Sequence, residues 1–350
     1  MKKKIIIGLV VVVAILILSG IGFYFHSLRP VSEESNNVNF VINPGTSTRD
    51  ILKNLEHGGF IRNANMAFIY TKLNRLTLKA GTFEINSSMP VRELLKIIST
   101  GETNETKTIT FIEGRRLNHF VKQISEEFNH SEEEIMAILT DREYLEELID
   151  EYDFLTDEIL QKDIYYPLEG YLFPDTYEFR IDASIKDIIE RMLDNMEVKI
   201  KPFMDDIKES GHTVHEILTI ASIVESEGGK EEDRLKISSV VHNRLRLNIA
   251  LGMDPTTHYG LRKEITQRLT RTDLNHCNPY NTRGTCAVPG LPIGPIANPS
   301  LMSINATINP SDVDYLFFVS DKNKKLYFTR NVAEHAAKIA ELRREGLWLE

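Results

Sequence analysis

The stretch that most constrains the fold of this chain is Glu216–Gly229 (EILTIASIVESEGG), a short apolar helix that stops at two glycines. At about 100° per residue, four apolar side chains fall on one stripe of this helix: Ile217, Ile220, Ala221 and Val224. An apolar stripe of this kind packs against other elements of a folded domain. The two glycines provide a C-cap that ends the helix. The residues just before them therefore lie in the last turn, next to the space beyond the end of the helix.

Two carboxylates border the stripe near the end of this helix. Glu225 projects on one flank, between Ala221 and Leu218, and Glu227 lies on the other edge. A carboxylate beside an apolar stripe is partly desolvated, as a general acid that works near neutral pH requires. The ordinary alternative is a solvated glutamate at a helix end. Helical geometry alone does not choose between the two residues.

Length and composition indicate a folded protein of more than one domain. The 350 residues have room for two or three domains with cores of ordinary size. Hydrophobic residues make up 42% of the chain and charged residues 26%, which is typical of globular proteins. The formal net charge of −10 argues against a nucleic-acid partner, which requires a basic face.

The N-terminus, residues 1–26, predicts a short cytoplasmic segment and a transmembrane helix. Three lysines precede Ile5–Phe25, an uncharged run that as a helix covers a hydrocarbon core of about 30 Å. A cleaved signal peptide is the alternative, with a shorter apolar region and an A-x-A-like site. We expect an uncleaved single-pass anchor in the cell membrane. The lysines then lie in the cytoplasm, and the chain after His26 lies outside.

The rest of the chain predicts an α+β protein. Residues 27–37 form a linker, 38–106 a small α+β module, 107–200 a helical and aromatic-loop region, and 201–350 the catalytic region. In the module, strands at Val38–Ile42 and Ala80–Ile85 alternate with helices at 49–57, 64–73 and 91–99. This order, with PGTSTRDILKNL near its front, resembles a LysM-like module, a fold known for binding peptidoglycan glycan. A generic α+β spacer is the alternative.

Three segments further along the chain carry open questions. Tyr165–Phe179 (YYPLEGYLFPDTYEF) is either a loop whose rings stack on sugars or a set of packed core aromatics. The segment 254–260 is rich in turn residues, and the long loop Asn275–Ser300 has the length of a functional loop. Cys277 and Cys286 lie in that loop and form either a local disulfide or two thiols. A hairpin at 315–329 and a helix at 333–344 follow.

Several separated motifs together resemble one family. They are LEGYLFPDTYEF, LTIASIVESEGG, VVHNRL, MDPTTHYG, PYNT, GLPIGPIANPS and YLFFVS with YFTRN. Their order and spacing over most of the chain resemble the endolytic murein (peptidoglycan) transglycosylase family, also called YceG-like. The resemblance implies that Glu225 is the essential glutamate and that Tyr280, Asn281 and Thr282 hold glycan. The residues directly after Glu225 and the two cysteines depart from the family pattern.

For the activity, the resemblance implies a lyase that cuts the β-1,4 bond between N-acetylmuramic acid and N-acetylglucosamine. Glu225 protonates the glycosidic oxygen and then takes the proton of the C6 hydroxyl, which closes a 1,6-anhydro ring. No cofactor or metal is expected. The implied partners are peptidoglycan strands, which the enzyme terminates or trims, together with peptidoglycan synthases and division proteins.

Two other functions compete with the transglycosylase. A hydrolytic muramidase needs a second carboxylate, for which Glu169, Asp175 and Asp254 are the candidates. A non-catalytic scaffold of cell-wall synthesis needs none. A metal enzyme is disfavoured because His212 and His215 are not part of an H-E-x-x-H motif, and no G-x-S-x-G sequence indicates a nucleophilic serine.

Overall fold

The computed structural model describes residues 2–33, 36–101, 106–285, 287 and 289–348; for residues 2–11, 13, 14 and 17 it describes the backbone alone. The chain divides into two compact units. Unit 1 comprises residues 1–107 and 178–182, and unit 2 comprises residues 108–177 and 183–350. Both units combine helices with short strands, which confirms the predicted α+β class. The finer domain boundaries stay predictions.

The described residues between 2 and 101 in unit 1 form four helices and two paired strands. They are α1 (Lys2–Ser27), β1 (Val38–Ile42), α2 (Thr48–His57), α3 (Ala64–Leu73), β2 (Gly81–Ile85) and α4 (Val91–Thr100). The strands are antiparallel, with Phe40 opposite Phe83, and the core beneath them includes Leu55, Phe83 and Leu94. The predicted strands and helices between residues 38 and 100 are therefore confirmed. The likeness to a LysM module stays a prediction.

The predicted membrane-spanning helix is wrong. In the described part of the chain, no helix combines the length and the apolar composition that a membrane crossing requires. A membrane crossing requires about 20 consecutive, predominantly apolar residues in one helix, and in α1 the side chains that the structure describes are those of residues 12, 15, 16 and 18–27.

The remaining elements are mostly helical. They are β3 (Thr106–Thr110), α5 (Leu117–Glu127), α6 (Glu132–Leu139), α7 (Arg142–Glu151), β4 (Thr176–Arg180), α8 (Ile185–Ile200), α9 (Met204–Ser210), α10 (Val214–Glu227), α11 (Glu231–Arg246), α12 (Asp254–Gly260), α13 (Arg271–Leu274), α14 (Leu301–Ile308), β5 (Phe317–Ser320), β6 (Leu326–Thr329) and α15 (Val332–Arg344). Strand β3 pairs with β4, and β5 pairs with β6 in the predicted hairpin.

Helix α10 is the central helix of unit 2. It packs against α11, α12 and α14, and it is buried on nearly all sides rather than along one stripe. Its polar positions are tolerated inside the core because Thr219 and Ser222 donate their hydroxyl protons to backbone carbonyls of the same helix. The helix starts at a capping box between Thr213 and Glu216 and ends at Gly228, whose φ is +72°.

Among the short helices of unit 2 that were not predicted from the sequence are α12 and α14. The turn-rich segment 254–260 forms α12, and Pro255 is compatible with it because it lies in the first turn, where its missing N–H has no helical partner. Helix α14 begins directly after the long loop, with Ser300 as its N-cap. Between Asn275 and Ser300 the described residues form no helix or strand. The loop therefore ends at the helix whose first turn borders the site described next.

Candidate active site

Glu225 lies in the last full turn of α10 and faces a cleft of about 250 Å³ within unit 2. Its side chain is only 6% exposed. The cleft is bordered by residues of the loop before α5, by Ser226 and Pro255, and by Ile296 and Ala297. The carboxylate is therefore nearly enclosed by protein but has one open side.

Both oxygens of the Glu225 carboxylate accept hydrogen bonds from protein groups. Arg234 Nη2 donates to Oε1 over 2.7 Å. The backbone N–H of Ser300 donates to Oε2 over 3.0 Å, and Ser303 Oγ donates to the same oxygen over 2.8 Å. The hydroxyl of Ser300 also donates to Oε2. Four donors from two neighbouring helices thus fix the orientation of one carboxylate.

Local structure brings these donors to Glu225. The chain turns at two glycines after α10, so that Arg234 comes early in α11 and points back to the end of α10. Ser300 is the N-cap of α14, where the free N–H groups and the positive end of the helix dipole favour a carboxylate. Ser222 Oγ accepts the N–H of Ile296 over 3.0 Å, which ties the preceding loop to α10.

The segment Glu113–Arg116 lines the same cleft. Gly114 has a φ of +71°, and its N–H donates to the carbonyl oxygen of Asn298 over 2.8 Å. A Cβ atom at Gly114 would lie 3.3 Å from Glu225 Cγ, so the glycine permits a close approach. Glu113 also lines this cleft. Partial burial raises the pKa of Glu113, and the charge of Glu225 raises it further.

Glu169 is buried behind this segment and does not line the cleft. It is 1% exposed, and its carboxylate accepts the N–H of Leu117 over 2.9 Å and the hydroxyl of Tyr259 over 3.0 Å. Asn298 links Glu169 to the segment, because its side chain donates to Glu169 and to the Arg115 carbonyl. Burial raises the pKa of Glu169 to about 8. These contacts give Glu169 a structural role.

The other two carboxylates considered for a hydrolase do not line the cleft at Glu225. Asp175 is contacted by Asn195 and by Lys199, whose Nζ lies 3.5 Å from it. Asp254 forms an ion pair with Arg283 and lines a separate cleft of about 650 Å³.

Glu227 borders that larger cleft, so the last turn of α10 directs its two carboxylates into different spaces. Burial, together with the charge of Asp254, raises the pKa of Glu227 to about 7. The tertiary structure therefore separates two glutamates that the helical pattern left equivalent.

Tyr280, Asn281 and Thr282 are buried within the protein and do not line the cleft at Glu225. The Tyr280 hydroxyl accepts the N–H of Tyr165 over 3.1 Å. Asn281 accepts the hydroxyl of Thr257 over 2.7 Å and donates to two backbone carbonyls. Thr282 Oγ1 accepts the N–H of Met253 over 3.0 Å. This geometry favours support of the loop, and contact with glycan stays a prediction.

The aromatic segment 165–179 contributes mainly to the core. Tyr171 and Phe173 are buried, whereas Tyr165 is half-buried and stacks on Tyr259 with ring centroids 5.9 Å apart.

In the long loop, Cys277 takes part in a disulfide. Its predicted partner, Cys286, lies outside the described residues.

Sequence reasoning missed the residues that contact Glu225 and a second carboxylate that shares its cleft. They are Glu113, Arg234, Ser300 and Ser303. Two signals were present: the charged E-G-R-R turn after a strand and the serine pair spaced as an N-cap and its third helical residue. Among the described residues, no group of three or more histidine, cysteine or acidic side chains is arranged to hold a metal ion.

Comparison with known proteins finds one family. The model of the YceG-like family matches residues 40–341. A Bacillus subtilis protein named endolytic murein transglycosylase is 34% identical over 325 residues, covering 91% of this chain and 89% of that protein. A Streptococcus pneumoniae protein of the same name is 33% identical, covering 97% of this chain and 65% of its own longer length. A crystal structure of a YceG-like protein from Listeria monocytogenes has a TM-score of 0.63 and 32% identity. It covers 87% of this chain and 100% of that one.

Proposed function

Because the chain belongs to the YceG-like family, we propose that it is a peptidoglycan lytic transglycosylase that cuts glycan strands at internal bonds. Its relatives named endolytic murein transglycosylase support this activity. The observation that supports a catalytic role for a particular residue is the environment of Glu225. Its carboxylate lies on a cleft, is nearly enclosed by protein, and has both oxygens oriented by hydrogen-bond donors. A glycosidic oxygen that enters the open side of this cleft comes within reach of one well-positioned acid.

In the proposed reaction, Glu225 acts first as an acid and then as a base. It gives a proton to the glycosidic oxygen between N-acetylmuramic acid and N-acetylglucosamine as positive charge develops at the anomeric carbon. It then removes the proton of the C6 hydroxyl of the same muramoyl residue, whose oxygen attacks the anomeric carbon. The products are a free hydroxyl on one fragment and a 1,6-anhydro end on the other, and no water is consumed.

Arg234, Ser300 and Ser303 hold Glu225 in place during this cycle. The carboxyl group must face first the leaving oxygen and then the C6 hydroxyl. The reaction is slower when the orientation of this group is not fixed. The donors come from α11 and α14, two helices that pack against α10. The serine hydroxyls can rotate and can therefore accommodate both the protonated and the ionised carboxyl group.

In the cell, this activity terminates or trims glycan strands of the wall, and peptidoglycan synthases and division proteins are the proposed partners. A hydrolytic muramidase is the second candidate. The relatives named endolytic murein transglycosylase favour the lyase over it. An ordinary glycosidase places two carboxyl groups about 5–10 Å apart at the bond it cuts. Glu169, Asp175 and Asp254 do not line the cleft at Glu225, whereas Glu113 does, so Glu113 is the residue that a hydrolase would use as its second carboxyl group.

The test is a mass-spectrometric analysis of glycan ends after digestion of peptidoglycan by the wild type and by Glu225→Gln. The proposal expects 1,6-anhydro ends, which are lighter by one water than reducing ends, and their loss in the variant. Glu126→Gln is the control, because Glu126 is 64% exposed and pairs with Lys122 on the surface of α5. Reducing ends would establish a muramidase, and an inactive wild type would favour a scaffold.

A further inference from the structure

Asn298 is a buried side chain beside the cleft at Glu225 that the proposed reaction does not use. Its exposed fraction is 0%. The two residues before it, Ile296 and Ala297, line the cleft. Two residues after it, Ser300 donates its N–H to the Glu225 carboxylate. Asn298 therefore lies in the short stretch that connects a lining of the cleft to a group that orients the proposed acid.

Every hydrogen-bonding group of Asn298 has a partner. Its main-chain N–H donates to the carbonyl oxygen of Arg115 over 3.0 Å, and its carbonyl oxygen accepts the N–H of Gly114 over 2.8 Å. Its amide nitrogen donates to the same Arg115 oxygen over 3.1 Å and to Glu169 Oε1 over 3.4 Å. Its amide oxygen accepts the N–H of Gly170 over 3.0 Å. All the donors and both oxygens of one asparagine are thus engaged.

The partners of Asn298 belong to separate segments of unit 2. Gly114 and Arg115 form a turn that lines the cleft. Glu169 also accepts the N–H of Leu117, at the start of α5, and the hydroxyl of Tyr259, in α12. The orientation of a buried amide with these partners is fixed, because any other orientation leaves polar groups unpaired away from water.

We propose that Asn298 is a positioning residue of the reaction, which keeps the turn at Gly114 and Arg115 in register with the Glu225 carboxyl group. The stretch that binds this turn also carries Ser300, so one segment fixes both sides of the space where the bond is cut. A displacement of about 1 Å between substrate and a reacting group can lower the rate about 100-fold. The effect on rate rests on the proposed function, whereas the effect on the position of Glu225 is a property of the free protein.

Asn243 provides a matched control for the loss of Asn298. It is also buried, and it does not line the cleft at Glu225. Its amide nitrogen donates to the carbonyl oxygens of Val313 and Tyr315, and its amide oxygen accepts from Arg246. Asn243→Ala and Asn298→Ala each remove two donated hydrogen bonds and one accepted hydrogen bond. The two variants therefore remove similar interactions from unit 2, but only one removes them beside the cleft.

The position of Glu225 is tested directly on the full-length protein labelled with 13C at the glutamate carboxyl carbons. The Glu225 signal is identified by its absence from the spectrum of Glu225→Gln. We expect this signal to move in Asn298→Ala and to stay in place in Asn243→Ala. A Glu225 signal that is unchanged in folded Asn298→Ala, or that moves equally in both variants, overturns the proposal.

The effect on the reaction is tested by separate measurement of kcat and KM. We expect Asn298→Ala to lower kcat roughly tenfold or more, while KM changes less than about threefold, because the lost alignment matters most in the transition state. Asn243→Ala should keep kcat near the wild-type value. Equal losses of kcat in the two variants, or a rise in KM alone, contradict the positioning role.

Variants of Glu169 test the same network from its other end. Glu169→Gln keeps an oxygen for Leu117 and Asn298, and its new NH2 group can donate to the Tyr259 hydroxyl, which rotates to accept it. This variant should therefore retain kcat, whereas Glu169→Ala should lose as much as Asn298→Ala, and the two losses should not add in the double variant. A loss in Glu169→Gln as large as in Asn298→Ala contradicts the proposal, and this variant keeps it testable if Asn298→Ala does not fold.

These measurements separate the positioning role from the proposed function. If the wild type gives no anhydro ends but the Glu225 signal moves only in Asn298→Ala, the positioning stands and the proposed function fails. If anhydro ends are produced but Asn298→Ala behaves like Asn243→Ala in both signal and kcat, the function stands and the positioning fails.

Discussion

Arg234 Nη2 donates to Glu225 Oε1 across 2.7 Å, and the two side chains are only 14% and 6% exposed. The contact joins the end of α10 to the first turns of α11 over a sharp turn at two glycines. A nearly buried ion pair is costly to break from one side, because the remaining charge loses its partner without regaining water. The contact therefore orients the proposed catalytic carboxylate and couples its position to the packing of two core helices.

Removal of this arginine is expected to reduce activity strongly. Arg234→Ala leaves Glu225 Oε1 without its charged donor, and the misplaced carboxylate lowers kcat/KM by roughly 100-fold. Arg234→Lys keeps the charge but not the planar guanidinium, so it recovers only part of the loss. Initial rates on purified glycan strands measure both effects. Arg142→Ala is the control, since Arg142 forms an exposed pair with Glu146, and equal losses in this control would contradict the assigned role.

The two serines at the start of α14 are expected to separate activity from stability. Ser303→Ala removes one hydrogen bond to Glu225 Oε2 and is expected to lower kcat about tenfold with little change in Tm. Ser300→Ala removes a hydrogen bond to the same oxygen and also the N-cap of α14, so it costs about 1 kcal/mol of stability as well. Thermal unfolding and kcat are measured side by side. A Ser300→Ala variant as stable as the wild type would show that the cap is unimportant.

Gly114→Ala is expected to disturb the active site, because the added methyl group contacts the side chain of Glu225. The alanine must adopt a φ of +71°, which costs about 1–2 kcal/mol, and its Cβ lies 3.3 Å from Glu225 Cγ. Gly211→Ala is a matched control, because Gly211 has a φ of +77° but open space around the added Cβ. Both variants should lose similar stability in chemical denaturation, whereas only Gly114→Ala should lose activity, roughly tenfold. The same loss of activity in both would point to a general folding defect.

The buried Glu169 predicts that stability decreases as the pH rises. Burial raises its pKa in the folded protein to about 8, above the ordinary glutamate value of 4.5, so the folded state binds this proton more tightly than the unfolded chain. The resulting contribution is fully present below pH 4.5 and is lost as the pH rises toward 8. Glu169→Gln cannot titrate, so the difference in Tm between wild type and variant should change steadily between pH 5 and pH 8. A constant difference over that range would show that Glu169 is ionised throughout.

Asn281→Ala distinguishes a supporting residue from a glycan ligand. The substitution leaves the carbonyls of Leu274 and His276 and the hydroxyl of Thr257 without their partner, which is expected to cost about 3 kcal/mol of stability. If Asn281 only supports the loop, Tm falls while KM of the folded enzyme at low temperature stays near the wild-type value. A raised KM at unchanged Tm would instead establish the predicted contact with glycan.

The sequence by itself determined most of the local structure. Hydrophobic periodicity located β1, α3 and the β5–β6 hairpin, because these signals depend on neighbours within a few residues. It also located the helix that carries Glu225 and its end at two glycines, and the family motifs singled out Glu225 from Glu227. The same local patterns failed for α12, whose turn-forming residues are compatible with a helix once its surroundings bury them.

Only the tertiary structure decided what surrounds Glu225. Ser300 and Ser303 lie more than 70 positions after Glu225 in the sequence, and the segment with Glu113 lies more than 100 positions before it. The tertiary structure also places Glu227 and Asp254 at a separate cleft, and it buries Tyr280 and Asn281. Sequence spacing cannot give such contacts, because hydrogen bonds and charge coupling act over a few ångströms and depend on how helices pack. The sequence therefore named the carboxylate, and the packing of α10 against α11 and α14 determined the groups that hold it.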